Sequence, residues 1–161
     1  MENRRTLTVI IIASVAIILL VYLWNIPRSA VNTTLDDIDF NGPIYQFETG
    51  AFDQFFMTLT FKNEGRTTVE ITNLEVNVLL NGTDYNSQMT THNLGEIEPG
   101  NSRTFHRTVL LTNAPIGFRE NEAWNLTGIA EITAEAEFLF FSYEKSSSET
   151  RSYPWEIDFL D

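Results

Sequence analysis

Two hydrophobic patterns divide the chain. From Leu7 to Trp24 it reads LTVIIIASVAIILLVYLW, eighteen residues without a charge on any face. As a helix this run rises roughly 27 Å, about one hydrocarbon thickness, so it predicts a transmembrane helix over residues 7–25. Beyond it, apolar and polar residues alternate with period two in segment after segment, the signature of half-buried strands, and no second helix is predicted.

The alternation is explicit along the chain. Phe55, Met57, Leu59 and Phe61 share one face of a strand whose other face carries Gln54, Thr58, Thr60 and Lys62, and NEGR, Asn63 to Arg66, ends it as a turn. Val69 and Ile71 keep one phase, whereas Leu74, Val76, Val78 and Leu80 take the other, so a bulge or bend is expected near Asn73. Asn81-Gly82 is a hairpin signal, because both residues tolerate positive φ. A polar return strand is expected from Thr83 towards Thr90, and EPGN, Glu98 to Asn101, reads as a turn before a strand with Phe105, Val109 and Leu111 inward and Arg103 and His106 outward or at the turn. Residues Asn113 to Trp124 read as a loop or one short helical turn. One long strand is then expected from Leu126 to Tyr143, serines 146 to 148 as a turn, and a last strand carrying Tyr153, Trp155, Ile157 and Phe159. With an opening strand around Ile38 and Phe40 this makes seven or eight strands, an all-β antiparallel sandwich of immunoglobulin-like type over residues 34–161.

Arg4 and Arg5 precede the apolar run, while Arg28 alone and then Asp36, Asp37 and Asp39 follow it. The positive-inside rule therefore keeps residues 1–6 cytoplasmic and exports everything after Pro27, with Tyr22 and Trp24 in the outer aromatic belt and residues 26–33 as a linker. A cleaved signal peptide is disfavoured: the run is long for an h-region, and Arg28 stands where a small residue should precede a cut after Ala30. A pilin-type leader would want a small residue where Thr6 follows Arg5.

Composition narrows the chemistry. With 22 acids against 10 bases the net charge is −12, the wrong sign for a nucleic-acid partner. The absence of cysteine removes thiol catalysis, zinc-thiolate sites and disulfides, and leaves His92 and His106 as the nitrogen ligands. The acid excess is expected to hold the domain in water, off an anionic lipid surface.

The segments FFMTLTFKNEG, VEITNLEVNVLLNG, LGEIEPGNSRTFHRTVLL and NLTGIAEITAEAEF together resemble the water stress and hypersensitive response domain of group-two late embryogenesis abundant proteins, over about residues 34 to 160. The resemblance implies a sandwich, often behind one membrane helix, associated with desiccation and stress protection and carrying no catalytic residues. The chain departs from the family pattern at Asn63-Glu64-Gly65, where an asparagine-proline pair is usual. The NEG and PGNS turns are equally similar to those of bacterial and archaeal cell-adhesion-related domains.

Direct tests for chemistry return little. His92 and His106 have no Ser or Asp at a spacing that predicts a triad or a metal site. Asp36, Asp37 and Asp39 group carboxylates as calcium sites do, yet lack the glycine and distant glutamate of an EF-hand. Glu131, Glu135 and Glu137 read as a solvated sheet face. No enzyme, cofactor or metal is expected. Asn32, Asn81 and Asn125 each begin an N-x-Thr sequon, which allows glycosylation of exported sequence. Phe52, Phe56 and Phe141 fall on the opposite phase from the core and Trp124 flanks a loop, so these four are the candidate protein-contact surface. Two functions fit: a stress-protective module with many weak clients at the cell envelope, or an adaptor in an adhesion, surface-layer or filament complex.

Overall fold

The computed structural model describes residues 2–46, 53–85, 89–111 and 123–156. A single long helix, α1 (Glu2–Asp36), precedes β1 (Asp39–Gln46), β2 (Asp53–Lys62), β3 (Val69–Leu80), β4 (Thr83–Asp84), β5 (Met89–Ile97), β6 (Ser102–Leu111), β7 (Ala123–Phe138) and β8 (Phe141–Glu156). The strands form two antiparallel sheets. The smaller runs β1-β2-β6; the larger runs β3-β7-β8, with β4 and β5 both paired to the free edge of β3. The all-β sandwich behind one N-terminal helix is thus the architecture of this chain.

Period two explains the core. In β2, Phe55, Met57, Leu59 and Phe61 are all fully buried, and they face Val69, Ile71, Leu74, Val76, Val78 and Leu80 of β3 and Leu126, Ala130, Ile132, Ala134 and Ala136 of β7. The phase slip in β3 is real: its pairing with both β5 and β7 shifts between Ile71 and Asn73, a bulge that returns Leu74 to the core. Asn81 (φ 50) and Gly82 (φ 77) make the two-residue turn into β4.

Two expectations are corrected. Residues 26–33 are not an extended linker, because α1 continues to Asp36 and its last turns bury Ala30, Val31, Thr34 and Leu35 against the sandwich. The inward face of β7 is rich in alanine, and those small side chains leave room for the helix that packs on β7 and β8. The long strand from Leu126 to Tyr143 is instead two strands, reversed at Leu139-Phe140, and serines 146 to 148 lie inside β8 opposite Glu131, Ile132 and Thr133. The reversal has no Gly, Asn or Pro to announce it. Arg103, at the turn end of β6, is exposed as expected, although it shares the phase of Phe105 and Val109; its guanidinium carbon and that of Arg107 stand 5.3 Å and 5.8 Å from the Phe105 ring centre. Leu111 as a core residue, the stretch Asn113 to Trp124 up to its last two positions, and Ile157 and Phe159 lie outside the described residues or side chains.

Candidate functional site

The end of the sandwich where α1 enters is built around Asn63. This side chain is fully buried, and its amide donates to the carbonyls of Thr67 and Ile97, each at 2.8 Å. Its Oδ1 accepts from the Gly65 backbone N–H at 2.8 Å, while its own backbone exchanges hydrogen bonds with the Glu98–Asn101 turn through Asn101 and Gly100. One residue therefore ties the β2–β3 turn to the β5–β6 turn and leaves none of its polar atoms unpaired. Gly65 lies directly against Ala30 of the helix, a contact that has no room for a Cβ. Beside it, Arg66 Nη1 donates to the Tyr22 hydroxyl at 2.6 Å, and Arg28 lies over the Trp24 ring at 5.2 Å. Tyr22, Asn25, Ile26, Ser29, Glu64, Gly65 and Arg66 line a shallow groove of about 290 Å³ at this junction.

Further along the helix, Lys145 of β8 donates to Asn32 Oδ1 at 3.0 Å and lies 3.5 Å from the Asp36 carboxylate. Asn32, a sequon residue, is thus a part-buried helix residue held by a lysine. Asn81 and Asn125, the other two, are exposed neighbours at the far end, where the Asn125 backbone N–H donates to Asn81 Oδ1 at 2.8 Å and Asn81 N–H donates back to the Asn125 carbonyl at 2.8 Å.

Among the described residues the candidate aromatic surface does not come together. Trp124 is buried, 8% exposed, on the inward phase of β7. It is a core residue, because the strand begins before it and the expected loop does not reach it. Phe56 lies on the outer face of β2, half-buried and stacked on His106 with ring centres 5.5 Å apart. Phe141 opens β8 opposite Phe138, with its ring 4.4 Å from Phe140 at the hairpin tip; the reversal at 139–140 gives it the inward phase, against the expectation, but at the tip it is only half-buried. Phe52 lies outside the described residues. Asp36, Asp37 and Asp39 are all exposed, and among the described residues no group of three or more His, Asp or Glu could hold a metal ion.

The register of the acids is not visible in the linear pattern. Glu96 of β5, Glu70 of β3, Glu135 of β7 and Glu144 of β8 stand directly opposite one another, one row across four strands. Partial burial, then the charges of Glu70, Glu144 and Glu137, raise the Glu135 carboxyl above its ordinary value. The alternation of Glu131, Glu135 and Glu137 signals a wet face; their alignment with other strands requires the pairing.

No family model matches this chain, and no curated protein does. Solved structures similar to it include a protein from Archaeoglobus fulgidus, with 10% identity, a TM-score of 0.48 and coverage of 77% of this chain and 98% of that one. A protein described as a candidate late embryogenesis abundant (LEA) protein is similar at 9% identity and TM-score 0.44, over 89% of this chain and 87% of that one. An Arabidopsis thaliana protein is similar at 9% identity and TM-score 0.44, over 76% of this chain and 80% of that one. The late embryogenesis abundant class that the sequence resembles is thus represented among the similar structures.

Proposed function

We propose that the chain is a single-pass membrane protein with a cytoplasmic N-terminus and an exported sandwich that works without catalysis, as a stress-protective binding module at the cell envelope. One observation carries the reading. α1 is a single helix whose first part, from Leu7 to Val21, is exposed on every side, while its last turns are built into the core. An 18-residue window of this helix has a mean hydropathy of 2.8 and is, by length and composition, enough to cross a bilayer. An exposed apolar surface of this extent marks a contact with lipid or with another protein, and its length and lack of charge fit lipid.

The exported part then presents to water a carboxylate row that binds hydration strongly and favours no single partner shape. That is the property expected of a protectant with many weak clients, in line with the resemblance of its turns and strands to the water stress domain. The adaptor reading has support of its own in β8, a 16-residue strand whose outer edge pairs with no strand among the described residues. Such an edge suits strand addition by a partner.

The test is cross-linking of the full-length protein in cells, with capture and quantitative mass spectrometry against a helix-only control, before and after drying. A diffuse client set that grows on drying supports protection. One near-stoichiometric partner, present in both states, replaces it with the adaptor. Protease added to intact cells checks the orientation: full protection of the sandwich would overturn the export of the domain.

A further inference from the structure

Leu139 and Phe140, at the reversal between β7 and β8, are 72% and 73% exposed, the most exposed large apolar residues in the chain among those described. Leu139 also has φ +58. In a two-residue hairpin with positive φ at the first position the favoured residue is glycine, and a leucine there is strained. A strained, exposed apolar pair closes this hairpin where a polar turn would fold more easily, so its apolar character calls for a role outside the fold.

The position of the tip supplies that role. Thr67 Oγ1 donates to the Glu137 carbonyl at 2.8 Å, and its neighbour Arg66 donates to the Tyr22 hydroxyl, so the tip and the exit of the apolar helix lie at one end of the sandwich. Their heights agree as well. From the Lys145–Asn32 contact, Phe141 lies four strand residues away, roughly 13 Å, and Tyr22 lies ten helical residues away, roughly 15 Å in the same direction. With helix and strand side by side, Leu139, Phe140 and Phe141 reach the level of Tyr22 and Trp24.

We propose that the Leu139-Phe140-Phe141 tip inserts into the interfacial layer of the bilayer that α1 spans, as a second membrane contact beside the helix. The occupant of the patch is the lipid surface. The apolar tip enters the head-group region as interfacial aromatic and aliphatic side chains do, while Glu137 and Glu64 stay in water. The sandwich then does not stand off the membrane as its charge alone suggests. This inference rests on the membrane-spanning reading of α1.

The chain has no cysteine, so single cysteines can be introduced into the full-length protein, labelled with an environment-sensitive fluorophore and reconstituted into phosphatidylcholine vesicles. Three sites decide: Leu139→Cys at the tip, Thr83→Cys at the far end and Ile12→Cys in the helix. Lipids with a nitroxide near the head group should quench the tip label several-fold more than the Thr83 label. Phe140→Ser with Phe141→Ser in the tip-labelled protein should remove most of that difference, which excludes insertion driven by the fluorophore. Quenching at Ile12 with a tip label indistinguishable from Thr83, or a tip signal unaffected by the two serines, overturns the proposal and leaves the anchor standing. No quenching at Ile12 overturns the anchor and the proposal together.

Discussion

Gly65 and Ala30 meet where the turn after β2 closes on α1, and the contact is tight enough that the Cβ Gly65 lacks would fall 2.5 Å from the Ala30 Cα. The glycine is there for space. Through this contact the β2–β3 turn sits flat on the helix, Arg66 reaches Tyr22, and the buried residues Val31, Thr34 and Leu35 stay seated.

A Cβ at this point should wedge helix and turn apart. Gly65→Ala is expected to destabilise the full-length protein by about 1–3 kcal/mol, the usual range for overpacking. Urea midpoints in a mild detergent measure it. Combining it with Ala30→Gly should recover part of the loss, and a coupling of at least about 0.5 kcal/mol in the double-mutant cycle reports direct contact.

Asn63 holds two carbonyls and one N–H with its side chain alone. At about 1 kcal/mol for each buried hydrogen bond, Asn63→Ala should cost about 3 kcal/mol. Asn63→Asp should be worse at neutral pH than at pH 4, because it replaces two donated bonds with a buried carboxylate facing carbonyl oxygens. Thermal melts at both pH values separate the variants.

Glu135 carries a pH signature. Its carboxyl is raised in the folded protein, so as pH climbs through 4.5, the ordinary value, the unfolded chain gives up this proton before the folded one does. The group therefore destabilises the fold progressively across that window and fully above the raised value, and has no effect below both. Glu135→Gln should stabilise the protein at pH 7 by about 0.2–1 kcal/mol, the scale of like-charge pairs across strands, and leave it unchanged at pH 3. Raising the salt at pH 7 should shrink the gain.

Trp124 and Phe56 should respond in opposite ways. Trp124 is part of the core, so Trp124→Ala should cost about 3–5 kcal/mol. Phe56 stands on the outer face of β2, where Phe56→Ser should lose only its stacking on His106 and some covered area, about 1 kcal/mol. Chemical unfolding of both variants makes the comparison. An effect of Phe56→Ser on captured proteins can thus be read as surface chemistry, whereas one of Trp124→Ala cannot.

Much of this fold is legible in the sequence. The apolar run, the period-two strands, the slip near Asn73 and the Asn81-Gly82 turn are local features, and local side-chain chemistry determines them. The reversal at Leu139-Phe140 was hidden because its residues are good strand formers, and pairing of Phe138 with Phe141 overrides their preference. Trp124 reads as flanking a loop for the related reason that a strand's start depends on its partner, here β8. The helical stretch 26–33 was obscured by Pro27, Asn32 and the two threonines, which read as loop; Thr33 and Thr34 instead bond back to the carbonyls of Ser29 and Ala30. The buried Asn63 and the glutamate row depend on strands far apart in sequence, which a linear pattern does not bring together.

The continuity of α1 from the apolar run into the core has a mechanical consequence. The helix runs unbroken between the two, and its proline, Pro27, is itself buried at the junction: seated in a bilayer, the sandwich inherits the inclination and rotation of the helix. Lipid thinning that changes the helix tilt would swing the carboxylate face and the outer edge of β8 as one lever, so the local thickness of the bilayer would set where those surfaces point.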